Sequence, residues 1–159
     1  MRNSLFGDKD FTLWVLLRQA KDTVFKATEK ELSRYGISPE EAGVLSIVQA
    51  LGNQAIPAEI SRWLLREPHT VSGILSRMEK KGLVRKTKDL DRKNLVRVTL
   101  TEKGQQAYDL SIRREFIEDM LSCLTEEQCQ QLRSSLEALR YKALKELGMN
   151  PKVPFPQYE

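Results

Sequence analysis

Two prolines and a glycine constrain this chain more than any other feature. Pro57, Pro68 and Gly82 punctuate one stretch. Proline is tolerated at the first position of a helix, but it pushes the preceding residue out of helical geometry. Glu67 therefore breaks a helix that opens at Pro57 or Ala58 and buries Ile60 and Leu64. Pro68 then starts a second helix, and Lys80-Lys81-Gly82 ends it with dipole-favoured cations and a glycine stop. Val71, Ile74, Leu75 and Met78 give that second helix an apolar face at spacings of three and four. His69, Thr70, Ser72, Gly73, Ser76 and Arg77 fall on or near the other face. Leu83 to Leu100 then alternates as strands do. Lys86 and Lys88 share a face of the first strand, Arg85 takes the other, and Asp89 to Asn94 form a charged turn. Val96, Val98 and Leu100 line one face of the return strand.

The charge of the chain is concentrated there. Residues 57–104 hold twelve Lys/Arg against six Asp/Glu, a net of +6, whereas the whole chain carries only +4. A basic segment on a near-neutral body is the footprint that phosphate-backbone binding requires. A helix-turn-helix followed by a β-hairpin is a device for placing one helix in a DNA groove. Gly73 costs roughly 1 kcal/mol against Ala inside a helix. A close approach to another surface accounts for that cost, and so does a plain packing need.

The flanking segments read as helices. From Asp10 to about Tyr35 a long stripe runs through Leu13, Leu16, Leu17, Ala20, Val24, Ala27 and Leu32, widened by Trp14 and Phe25. Asp10 is placed to cap its start and Gly36 to end it. Ser38-Pro39-Glu40-Glu41 is a capping box with proline at the first position. Gln54 to Ile56 is long enough for a minor strand against the hairpin. Thr101 caps a helix expected to run unbroken from Glu102 to Leu121, striped by Tyr108, Ile112, Phe116, Met120 and Leu121. Thr125 to Gln128 forms a second capping box ahead of Leu132, Leu136, Leu139, Ala143 and Leu147. Residues 1–9 read as a flexible lead-in and 148–159, with three prolines, as an extended tail.

The 159 residues, 40% hydrophobic and 30% charged, suit one globular domain of mainly α class with a small β wing. No apolar run approaches the ~20 residues of a membrane span, and the N-terminus lacks a secretory pattern. The expected compartment is the cytoplasm. Cys123 and Cys129 do not make a disulfide framework. They read as ordinary semi-buried thiols, since Glu126 and Glu127 oppose a lowered thiol pKa. One histidine and two cysteines give no zinc-like spacing, so no metal is expected. No Gly-rich phosphate loop, nucleophile elbow or acid–base constellation is present, and neither an enzyme nor a cofactor is expected.

Three segments in this order, Pro68 to Ser72, Arg77 to Val84 and Val98 to Gly104, resemble the MarR family of winged helix-turn-helix transcriptional regulators. The resemblance covers roughly residues 10–147 as a single domain. It implies a homodimer, with dimerisation helices at 10–35 and 102–147 and a DNA-binding part at 38–100. It implies a sequence-specific regulator of double-stranded DNA, a repressor by family default. Pro68 to Lys81 would be the recognition helix, and the wing would reach the adjacent minor groove. His69, Thr70, Ser72, Gly73, Ser76, Arg77, Lys86, Lys88, Arg92, Lys93 and Arg97 are then the candidate DNA-binding residues.

One departure concerns the wing. The family commonly has an acidic residue, any residue, then arginine, where this chain has Asp91-Arg92-Lys93 and one more residue before Leu100. Arg92 and Lys93 compete for the minor groove, and arginine suits it better. The resemblance also implies release by a small aromatic or phenolic effector. Trp14, Phe25, Tyr35, Trp63, Tyr108 and Phe116 are candidates to line its pocket, or simply core. The alternative from another class is a non-enzymatic helical dimer that binds a partner protein or RNA.

Overall fold

The computed structural model describes residues 7–150, the side chain of Arg114 excepted. Residues 1–6 of the expected lead-in and 151–159 of the expected tail lie outside them. Among the described residues seven α-helices and one hairpin follow in chain order: α1 (Lys9–Ser33), α2 (Pro39–Leu51), α3 (Pro57–Leu64), α4 (Pro68–Lys80), β1 (Val84–Lys88), β2 (Val96–Leu100), α5 (Glu102–Ser111), α6 (Arg114–Leu121) and α7 (Glu126–Glu146), with a short 3-10 turn at Gly52–Gln54.

Local chemistry sets most boundaries. The Ser38 hydroxyl accepts from Glu41 N–H and the Glu41 carboxylate accepts from Ser38 N–H, the reciprocal pair of a capping box. Thr125 and Gln128 repeat the device on α7. Prolines open α2, α3 and α4. The cap of α1 is Asp8, not Asp10: Asp8 Oδ1 accepts from Asp10 and Phe11 N–H, both at 2.9 Å. A cap must precede the donors it satisfies, and Asp10 already lies inside the first turn.

The core sits between α2, α3, α4, the hairpin and α5. Val44, Leu45, Ile60, Val71, Leu75, Met78, Val84 and Val98 are its largest fully buried side chains. Gly104 in α5 fits because it lacks a side chain: a Cβ there would stand 1.9 Å from the Leu83 carbonyl oxygen. The hairpin pairs Val84 with Leu100 through to Lys88 with Val96, antiparallel. Gln54 to Ile56 is not a strand. It still gives β2 one ladder-like bond, Val98 N–H to Ala55 C=O at 2.9 Å.

The helix expected from Glu102 to Leu121 is two. Ile112 and Arg113 leave helical geometry, Arg113 at φ −54°, ψ 112°. No proline or glycine lies there. Ala107 is the last buried residue of α5 and Ile112 is 43% exposed, so past this point no core contact holds the helix in line.

The long helices are amphipathic but scarcely buried within the chain. Leu32 is the buried residue of α1 and Leu144 that of α7. Leu13, Trp14 and Leu16 on α1, and Leu132, Leu136 and Leu139 on α7, stand exposed. Among the described residues no helix is long and apolar enough to cross a membrane.

Candidate nucleic-acid interface

The turn between α3 and α4 is tight. Leu65 closes α3 in the left-handed conformation, φ 54° and ψ 42°. The buried Ser61 hydroxyl donates to the Arg66 carbonyl at 2.5 Å, and Arg66 N–H returns to the Ser61 carbonyl at 3.2 Å. This lock fixes where Pro68 restarts the chain. Helix α4 then buries Val71, Ile74, Leu75 and Met78. Its opposite side presents His69, Thr70, Ser72 and Arg77 to solvent, with Gly73 and Ser76 half-buried among them.

The wing divides its cations into two groups. Arg85, Lys88, Arg92 and Lys93 are exposed. Lys86 and Arg97 are bonded into the protein. Lys86 lies on the inner side of β1, where its ammonium meets Glu79 at 3.1 Å and donates to the Ser76 hydroxyl at 3.3 Å. Its backbone N–H donates to the same Glu79 carboxylate at 3.1 Å. That backbone bond first, and the ammonium second, hold the Glu79 carboxyl below its ordinary range. Lys86 therefore ties the wing to α4. Ser76, a candidate reader, is one end of that tie.

Arg97 has a similar place at the base of the turn. Its Nε donates to Asp89 Oδ2, and a terminal guanidinium nitrogen donates to the Asn53 carbonyl. The other Asp89 oxygen accepts Asp91 N–H at 2.9 Å and Arg92 N–H at 3.0 Å. The Arg97 bond and these two amides hold the Asp89 carboxyl below its usual range. Asp89 thus organises the whole turn and sets the backbone from which Arg92 projects. Sequence reasoning placed Asp89 in the turn without giving it a role. The readable signal was an Asp whose side chain can accept amides two and three residues on.

A second tie joins this part to the rest of the chain. Lys81, just after α4, pairs with Glu41 at 2.8 Å. Lys103 on α5 donates to the Lys81 carbonyl at 2.8 Å.

The six candidate pocket aromatics are spread over α1, the α1–α2 turn, α3, α5 and α6. Trp14 and Phe25 stand on the outside of α1, 64% and 40% exposed. Tyr35, Trp63 and Tyr108 pack against the core, and Phe116 is half-buried on α6. Tyr35 lines an open crevice of about 270 Å³ with Ile37, Lys81, Leu83, Lys103 and Leu110. The Trp63 indole N–H is buried without a hydrogen-bond partner. Cys123 is exposed, Cys129 is half-buried on α7, and both are free thiols. No group of three or more His, Cys, Asp or Glu that could hold a metal occurs among the described residues.

Comparison with known proteins decides the family. The MarR family model matches residues 35–94, from the α1–α2 turn to the wing. The organohalide-sensing transcriptional regulator RdhR is 32% identical in its ligand-free structure, with a TM-score of 0.85 over 96% of this chain and 91% of RdhR. The chain belongs to the MarR family. It is a DNA-binding transcriptional regulator. RdhR bound to 2,4-dichlorophenol matches this MarR-family chain equally well, at a TM-score of 0.86 and 32% identity over the same shares. The transcriptional repressor MdtR of Bacillus subtilis is 24% identical over 128 residues, 79% of each chain. The fold is also that of S. aureus MepR in its DNA complex, at a TM-score of 0.72 and 23% identity, covering 79% of this chain and 93% of MepR.

Proposed function

We propose that this MarR-family regulator acts as a homodimer that represses transcription and releases DNA when a small aromatic or phenolic molecule binds. The single observation behind the DNA contact is the division of α4. Its apolar residues are all buried, its polar side faces solvent, and Lys86 ties it to a wing that exposes Arg85, Lys88, Arg92 and Lys93.

In this reading His69, Thr70, Ser72, Ser76 and Arg77 meet base edges or phosphates in the major groove. Arg92 enters the minor groove, with Lys88 and Lys93 on phosphates. Lys86 and Arg97 act on DNA through the wing they brace. The dimer is supported by α1, α6 and α7, whose apolar stripes stay exposed in one protomer and need a partner surface. Two recognition helices about 34–36 Å apart would read a pseudo-palindrome. Repression follows the example of MdtR. The effector class is supported by RdhR, whose structure holds 2,4-dichlorophenol.

The test is a binding titration against a pool of random duplexes at two salt concentrations. The expected result is enrichment of one pseudo-palindrome, with affinity falling steeply in salt. Weak, sequence-blind binding at both salts overturns the reading and favours a helical dimer that holds a protein or RNA partner.

A further inference from the structure

Three glycines lie within helices, and two of them stand close against other parts of the chain. Gly104 has no room for a methyl group beneath Leu83. Gly43 lies where α2 meets α3, and a Cβ there would come 3.3 Å from a Leu64 methyl. Gly73 is different. A Cβ at position 73 meets one atom within 4 Å, an Arg77 guanidinium nitrogen at 3.6 Å, an ordinary contact with a flexible side chain. Its backbone is regular helix with negative φ, so no turn requires glycine. Neither packing nor conformation accounts for a poor helix former at the centre of α4.

Its neighbours indicate what does. His69, Thr70, Ser76 and Arg77 stand four and three residues to either side, so on a helix they ring Gly73 on one face. The position is thus a notch in the middle of a polar face. The notch itself offers no donor or acceptor, because the Gly73 N–H lies inside the helix ladder. Only an apolar group fits it. On the major-groove edges of the base pairs the apolar group is the thymine C5-methyl.

We propose that Gly73 is a specificity-determining position, a notch through which α4 comes into van der Waals contact with one thymine methyl in each half-site. In the free protein Arg77 lies over the notch. On the duplex Arg77 extends to a guanine or a phosphate, and the methyl takes its place. This inference rests on the DNA-reading function proposed above and names the base feature that it reads.

The experiment uses the selected palindrome, wild-type protein and Gly73→Ala, with thymine replaced by uracil at each position of one half-site in turn. Gly73→Ala is expected to raise the melting temperature by about 2–4 °C. It is expected to bind the palindrome at least about tenfold more weakly, with an unchanged salt slope. Wild-type protein is expected to lose about three- to fivefold at one uracil position, the worth of one buried methyl, and Gly73→Ala to lose nothing there. Wild-type affinity in Gly73→Ala, a lowered melting temperature, or indifference of the wild type to every thymine methyl overturns the proposal while leaving the DNA-reading function standing. Failure of the wild type to select any duplex overturns both.

Discussion

Asp89 holds Arg97 by a 2.5 Å bond between carboxylate and guanidinium, so one cation of the wing is structural although it lies in the basic hairpin. The Asp89 side chain is only 9% exposed. Its carboxyl titrates below the ordinary 3.8 because Arg97 and two turn amides favour the charged form. The sign follows directly: the support is fully present above the ordinary value and is lost as pH falls through the lower, folded-state value. The wing should therefore be intact at about pH 5 and release Arg97 only below the ordinary carboxylate range. NMR of the Arg97 Nε–H across acid pH measures this. Release between pH 5 and 7 would contradict it. Asp89→Ala should weaken operator binding roughly three- to fivefold at neutral pH.

Arg92 and Lys86 should behave as opposites. Arg92→Ala is expected to reduce the slope of log affinity against log salt by about one unit. Lys86→Ala should leave that slope nearly unchanged, because Lys86 already faces Glu79. Operator titrations at four or five salt concentrations separate the two. A full unit lost in Lys86→Ala would mean that Lys86 leaves Glu79 for a phosphate.

Leu65 carries a backbone conformation that suits glycine, and it is 41% exposed. Little packing is at stake there, so Leu65→Gly should stabilise the fold by about 0.5–1.5 kcal/mol through relief of the left-handed strain. Urea denaturation provides the measure. A loss of stability would show that the Leu65 side chain contributes more than its conformation costs.

The stripe on α7 should hold two protomers together. Leu136 is 44% exposed in one protomer. Leu136→Glu is predicted to convert the dimer to monomer in sedimentation equilibrium, and to make thermal stability independent of concentration. A dimer of unchanged mass would place the interface elsewhere.

The fold was readable where local chemistry and periodicity coincide. The capping boxes at Ser38 and Thr125, the proline starts and the apolar face of α4 all appear as the residues suggest. The break at Ile112–Arg113 was not readable, because it comes from lost tertiary contact and not from a breaker residue. Among the candidate DNA residues, the exposed side of α4 follows from its spacing. The division of the wing cations does not. Lys86 and Arg85 look alike in sequence, and only the pairing of Lys86 with Glu79 across two elements distinguishes them. The aromatic residues could not be resolved by pattern, since a core stripe and a cavity wall share one periodicity.

The hairpin has a further property that follows from the Lys86↔Val98 pair. Both backbone N–H groups of this pair point away from the partner strand. On one side Glu79 takes the Lys86 N–H, and on the other Ala55 takes the Val98 N–H. A two-stranded sheet ordinarily offers two open margins to any extended peptide. Here each margin is stoppered at mid-strand, one by a carboxylate from a helix and one by a carbonyl from a loop. The wing can thus protrude toward another molecule without recruiting strands from its own kind, which protects an exposed ribbon from self-templated polymerisation.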